Sequence, residues 1–216
     1  MLKNIDKTNT TSFFQDLYSW VSLALSHPRD DNFINDTIEI LAEIANDPAV
    51  EIDLTKEVQE LRLYLDESGA ELLPLQKEHS RLFIGPFNLL APPYESYHRN
   101  KGVVMGESSK QVEHIYAKTG MEVSPDFKDA PDHIVLETEF LSRICESEIN
   151  AWNANHADEA DYYRKLQLFF LKEHLLTWVH LLQKAVVNGS SYRFYPAVLN
   201  TLSKAAERHY KFLLDG

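Results

Sequence analysis

Residues 131–144 read PDHIVLETEFLSRI, and their apolar spacing sets the fold class. Ile134 and Leu141, continuing through Cys145 and Trp152, mark a helix-like spacing over a long stretch, and no period-two alternation competes with it. Pro131 suits a helix start and Asp132 the positive end of the macrodipole, where its side chain would cap the helix. The expectation is a long helix opening at Pro131-Asp132. His133, Glu137 and Phe140 would share one stripe of it, at four-then-three spacing. That stripe is too polar for plain core. It suits either a buried histidine satisfied by Glu137, or a groove wall where an imidazole and a carboxylate meet a partner's polar or basic groups.

Helical periodicity extends outward in both directions. Toward the N-terminus, Phe13, Leu17, Trp20 and Ala24 mark one stripe, with Ser12 as N-cap and His27-Pro28 as stop. Phe33, Thr37, Ile40, Leu41 and Ile44 mark a second helix, closed at Asn46-Asp47-Pro48. A third runs from Thr55 to Gly69. Pro74 opens a fourth, with Leu75, Leu82 and Phe83 facing inward. Ser108 or Ser109 would cap a helix carrying Val112, Ile115 and Tyr116, ended by Gly120 in the left-handed region.

Toward the C-terminus, one helix is expected from Asp158 to Val187, ending at Asn188-Gly189. The last would open at Pro196 and carry Val198, Leu199, Leu202, Ala206, Tyr210 and Leu213. Residues 103–105, Val-Val-Met, stay a loop. No internal repeat or low-complexity linker interrupts the chain. The reading is all-α: a single domain over residues 1–216, a helical bundle of about eight or more helices.

Composition narrows the function classes. The chain has 216 residues, 44% of them apolar and 11% aromatic, enough for one good-sized core. Lys plus Arg total 21 against 33 Asp plus Glu, a formal charge of −12. Such a surface repels nucleic-acid phosphates and anionic lipid headgroups, and favours a basic partner. The start, MLKNIDKTNT, lacks the apolar core of a signal peptide, and no run of about 18 apolar residues is available to span a bilayer. With Cys145 the sole cysteine, neither an intrachain disulfide nor a thiolate metal cluster can form. A cytosolic protein is expected.

Motifs for catalysis are missing. Nine histidines invite a metal, yet there is no HExxH, and two potential ligands on one helix face do not make a site. Gly102-Val103-Val104-Met105-Gly106 lacks the Lys-Ser/Thr of a phosphate-gripping loop. There is no GxSxG elbow, and Cys145 lies mid-helix on an expected core face. No cofactor and no metal is expected, and the reading is non-enzymatic.

Two further stretches concentrate unusual residues. Residues 85–100, GPFNLLAPPYESYHRN, place Pro92-Pro93 before Tyr94. Two fixed φ angles and two missing donors make this an extended, stiff segment. It either plugs the adjacent helix ends with Tyr94 and Tyr97, or presents Tyr94, Glu95, Ser96 and Tyr97 for recognition at little entropic cost. Residues 169–182, FFLKEHLLTWVHLL, place His174 four before Trp178 on a stripe that continues through Leu181, Leu182 and Ala185. Core packing is the plainer reading of that pair.

Taken in order, these segments resemble the TorD/DmsD/NarJ family of redox-enzyme maturation chaperones. The family pairs a helix ending in Leu-Phe-x-Gly, here Arg81-Leu82-Phe83-Ile84-Gly85, with a Pro-rich segment ending in Tyr-Glu-Ser, here Ala91-Pro92-Pro93-Tyr94-Glu95-Ser96-Tyr97. A Pro-Asp-His helix with an acidic-then-Phe continuation follows, matched by Pro131-Asp132-His133 and Glu137-Thr138-Glu139-Phe140. His174 and Trp178 match a His-x-x-x-Trp pair, and Tyr192, Phe194, Tyr195 and Pro196 match an aromatic segment before the last helix. Members of the DmsD type tend to carry Trp-Gly-Ser where Tyr94-Glu95-Ser96 stands, which places this chain nearer the TorD-like branch.

The resemblance implies an all-helical chaperone that binds the twin-arginine signal peptide, or another part, of a molybdopterin oxidoreductase catalytic subunit before cofactor insertion and export. The implied peptide-binding residues are Phe83, Pro93, Tyr94, Glu95, Ser96, Tyr97, Asp132, His133, Glu137, Phe140, His174 and Trp178. A cationic, then apolar leader would complement an acidic host with an aromatic-lined surface. An adaptor for another metalloprotein, whose client lacks such a leader, is the alternative; a small helical nucleotide-binding enzyme using His133, Glu137 and His174 is a third reading. Some relatives are linked to guanine nucleotides and some to helix-exchanging homodimers, and these residues decide neither.

Overall fold

Apolar residues at helical spacing form helices throughout, and among the described residues the backbone makes one isolated antiparallel bridge and no strand. The structure, a computed structural model, describes residues 2–49, 51–85, 89–124 and 127–215; residues 86–88 of the Pro-rich loop lie outside these. In chain order the helices are α1 (Leu2–Leu25), α2 (Phe33–Ala45), α3 (Thr55–Ser68), α4 (Leu72–His79), α5 (Glu95–Arg99), α6 (Glu107–Thr119), α7 (Ile134–Asn153), α8 (Ala157–Phe170), α9 (Leu176–Gly189) and α10 (Phe194–Asp215). A π-helical turn, Ser80–Ile84, extends α4, and a second, Leu171–Leu175, joins α8 to α9. No helix of the described residues is long and apolar enough to cross a membrane.

Helix α7 sits at the centre because apolar residues occupy more than one of its faces. Leu136, Phe140, Leu141, Ile144 and Cys145 are all buried. Helix α1 runs antiparallel along it: Ser22 Oγ donates to the Val135 carbonyl at 3.2 Å and Ser142 Oγ to the Gln15 carbonyl at 3.0 Å. Phe13, Phe14, Leu17, Trp20 and Val21 of α1 close that side, and each such burial contributes about 1.5–3 kcal/mol. Helix α10, packed against α1, α3 and α9, supplies Phe194, Tyr195, Val198, Leu199 and Leu202 to the same core.

Several boundaries differ from the sequence reading. Ser12 is not an N-cap, since α1 already begins at Leu2. Ile40, one of the residues that marked the second helix, is 37% exposed. Pro74 lies in the first turn of α4 rather than opening it. Gly106 is the N-cap of α6, and Ser108 and Ser109 are buried inside its first turn. Helix α7 starts at Ile134, after Pro131-Asp132. Helix α10 starts at Phe194, two residues before Pro196. Gly120 (φ 72°) and Gly69 (φ 62°) do close their helices in the left-handed region.

The expected single helix from Asp158 to Val187 begins at Ala157, ends at Gly189 and carries the π turn at its middle. One extra residue in a turn advances the side chains that follow by about 100°. Beyond the π turn Leu182 is buried, while Leu181, expected on the same inward stripe, is exposed.

Candidate functional site

Residues 93–95 and 132–134, far apart in sequence, run side by side. The Ile134 N–H donates to the Pro93 carbonyl at 2.9 Å, and the Glu95 N–H to the Asp132 carbonyl at 3.1 Å, around the bridge between Tyr94 and His133. Pro92-Pro93 holds the first segment of this pairing extended, with both rings buried. Tyr94 then stands edge-on to His133, ring centres 5.4 Å apart.

Immediately after this bridge the chain turns into α5, a short helix that the sequence reading left inside the loop. Its cap comes from elsewhere: the wholly buried Asp132 accepts the Ser96 N–H on Oδ2 at 2.6 Å. Asp132 therefore caps α5, not α7. The N-cap of α7 is His133, whose Nδ1 accepts the Val135 N–H at 3.2 Å. An accepting Nδ1 requires the neutral imidazole, and burial holds its pKa down at about 4 against the raising effects of Asp129 and Asp132.

Being outside α7, His133 does not share a stripe with Glu137 and Phe140. It faces Tyr94 and Phe127, whereas Phe140 packs between Tyr116 and Phe170, at 4.9 and 4.7 Å. Glu137 is fully buried and accepts the Trp178 indole N–H on Oε2 at 3.1 Å. Burial, then the neighbouring Glu95 carboxylate, push the Glu137 pKa well up, which favours its neutral form.

A second line of contacts runs beside the first. Glu95, also fully buried, pairs with Arg99 one turn along α5 and bonds His174 Nδ1 at 3.0 and 3.3 Å. His98 lies over the Trp178 ring, 5.5 Å between centres, and bonds the Pro92 carbonyl at 2.8 Å. The π turn makes this pairing: His174 lies within it and turns to Glu95, while Trp178 lies beyond it and turns to Glu137. Glu95-Ser96-Tyr97-His98 has Glu-x-x-His spacing, yet its two ligand-type side chains diverge. Among the described residues no group of three or more His, Cys, Asp or Glu is set to hold a metal.

The structure thus gathers Pro93, Tyr94, Glu95, Ser96, Asp132, His133, Glu137, His174 and Trp178, with Phe140 below them. Phe83 stands apart: it packs on His79 and Tyr195, each at 5.2 Å. Pro93, Glu95, Ser96, Asp132, Glu137, Phe140, His174 and Trp178 are buried, while Tyr94, Tyr97 and His133 keep part of their surface open. Tyr97 is hemmed by Gly102, where an added Cβ would stand 3.5 Å from its ring. The sequence reading did not single out His98 or Arg99, nor the clamp in which Glu78 and Arg81 hold residues 189–191. The signals present were the i,i+4 spacing of Glu95 and Arg99 and the i,i+3 spacing of Glu78 and Arg81.

Residues 47–183, the segment that holds the bridge, Asp132, His174 and Trp178, match the family described as nitrate reductase delta subunit. The chain belongs to that family. The TorD/DmsD/NarJ resemblance carried by residues 81–97, 131–140, 174–178 and 192–196 is borne out. Within this delta-subunit family, the chain is similar to the chaperone protein TorD of Vibrio cholerae, 23% identical over 175 residues, covering 81% of this chain and 77% of that one. It is equally similar to TorD of Aliivibrio fischeri, 23% identical over 204 residues and covering 92% and 93%. A crystal structure from Archaeoglobus fulgidus, described as a candidate redox enzyme maturation protein, shares the fold with a TM-score of 0.53 over 93% of both chains at 23% identity.

Proposed function

We propose that this chain is a cytoplasmic chaperone, not a catalyst, for the maturation of a molybdopterin oxidoreductase subunit of the DMSO/TMAO-reductase type. It binds the subunit's twin-arginine leader, its apo form or both before cofactor insertion and export. The observation that carries the reading is the pairing of residues 93–95 with 132–134, which sets Tyr94 and His133 against each other, partly open, over a buried polar frame. A preorganised aromatic and imidazole surface binds an extended segment at low ordering cost. The formal charge of −12 complements a leader's arginines.

The test is a calorimetric titration with a synthetic twin-arginine leader. His133→Ala and Tyr94→Ala should each weaken binding at least about tenfold, roughly 1.4 kcal/mol, with helical circular dichroism unchanged. Affinity should also fall as salt rises, because exposed charges are screened beyond about 8–10 Å. Wild-type affinity in both variants sends the search for the leader site elsewhere.

A further inference from the structure

One groove beside the frame differs in character from the rest of this acidic chain. It is a cleft of ≈ 630 Å³ between α6 and α8. Its apolar lining is Ile115 on α6 with Tyr162, Leu166 and Phe169 on α8, the last three at four-then-three spacing on one helix face. Tyr162 is 51% and Phe169 48% exposed. Two half-open aromatic rings on one face mark a contact surface rather than unfinished core.

The charge around this lining is cationic. Arg99, His114 and Lys118 line the cleft, Arg99 being paired on its inner side with the buried Glu95, and Glu173 is the carboxylate beside them. Glu173 is held by Lys172 at 2.8 Å, so its charge is already countered. Lys118 and His114 make no ion pair among the described residues. In a chain of net charge −12, a cation-rimmed apolar cleft is a local inversion of sign.

His174 supplies an independent sign of a ligand. Its side chain is 3% exposed and lines the cleft. Nδ1 is committed to Glu95, which leaves Nε2 with no partner among the described residues. A nitrogen so placed is a hydrogen-bonding atom left open to a polar group of whatever occupies the cleft.

We propose that this cleft docks an acidic, leucine- or phenylalanine-bearing segment of the partner protein. Its apolar side chains would pack against Phe169, Leu166 and Ile115. Its carboxylates would meet Lys118 and the outer face of Arg99, and a hydrogen-bonding group beside them would meet His174 Nε2. The proposal rests on the chaperone reading only in taking the partner to be a protein. It adds a second contact of opposite sign to the one that takes a basic leader. One client could then be held at two places by two chemistries, which gives specificity that neither contact supplies alone.

The experiment is isothermal titration at low ionic strength with two synthetic peptides of identical Leu and Phe positions, one carrying Glu and the other Lys at the remaining positions. The Glu peptide should bind at least about tenfold more tightly than its Lys twin. Lys118→Glu and Phe169→Ser, both at exposed positions and checked by circular dichroism, should each weaken the Glu peptide by a similar factor. Excess ATP, an anion with a flat ring, should not displace it. Failure of the Glu peptide to bind, equal binding of the twins, indifference to both substitutions, or displacement by ATP would each overturn the proposal. The same variants titrated with the twin-arginine leader separate the two ideas. Leader binding lost or kept leaves this proposal untouched, and Glu-peptide binding in a protein that ignores the leader removes the leader reading alone.

Discussion

The Asp132 carboxylate takes the backbone N–H of Ser96 at 2.6 Å across 36 residues of sequence. This bond ties the Pro-Asp-His segment to the Tyr-Glu-Ser segment. It also explains why an aspartate just before a long helix need not serve that helix: α7 already has His133 as its cap.

Asp132→Ala should therefore loosen α5 and spare α7. Removing a buried charged acceptor costs about 1.5–3 kcal/mol, more than the roughly 1 kcal/mol of an ordinary surface cap. Hydrogen exchange checks where the loss falls. Protection should drop at residues 95–100 and persist in the first turn of α7. Loss of protection at residues 135–138 with α5 unchanged would return Asp132 to the conventional capping role.

Trp178 belongs to the interior, and its truncation tests that. The ring is fully buried, stacks on His98 and donates to Glu137. Trp178→Ala should cost about 3–5 kcal/mol in chemical denaturation. Part of that loss comes from leaving the Glu137 carboxyl without its donor. Trp178→Phe should cost less, since the stacking survives. A Trp178→Ala protein that unfolds at the wild-type denaturant concentration would move this residue from frame to binding surface.

The helices were legible because apolar spacing reports one helix face directly, as at Phe13, Leu17 and Trp20 or at Leu199 and Leu202. Ends were less so: Ser12 and Ser108 look like caps in isolation, and a competing upstream turn decides otherwise. The π turn at residues 171–175 left no sequence signal, since it arises from how α8 and α9 pack rather than from local propensity. Among the candidate site residues, sequence order brought Tyr94, Asp132 and His174 to notice. It could not say that Asp132 reaches Ser96, or that Glu95 and Glu137 turn inward, because side-chain direction follows from tertiary pairing.

Buried histidines set the acid limb of stability. Burial, then the Arg164 charge, lower the His209 pKa to about 3, and burial first of all lowers that of His79 to about 4. Each is near 6.5 in the unfolded chain. Between those values the unfolded state binds more protons, so stability is full above about pH 6.5 and falls as pH drops toward 3–4. His209→Phe keeps a ring on Phe14, now stacked at 4.0 Å, and removes one titration. It sacrifices the Tyr18 hydroxyl contact at 3.2 Å, so the reading is the slope of unfolding free energy against pH, not its value at neutrality. That slope should flatten below pH 6.5, and an unchanged slope would mean that His209 is already protonated in the fold.

Glu137 acts with the opposite sign. Its folded pKa is raised, so the folded protein keeps a proton that the unfolded chain releases above about 4.5. Stability from this group is present below that pH and is lost as pH rises through the folded value. Glu137→Gln retains an oxygen for the Trp178 N–H and offers an amide N–H toward Glu95, without any titration. The variant should match wild type near pH 4 and become progressively the more stable protein as pH rises from about 5 to 8, measured by urea denaturation at each pH. A constant deficit at every pH would show that the carboxyl is ionised in the fold and that its negative charge, not its neutral form, is what Trp178 holds.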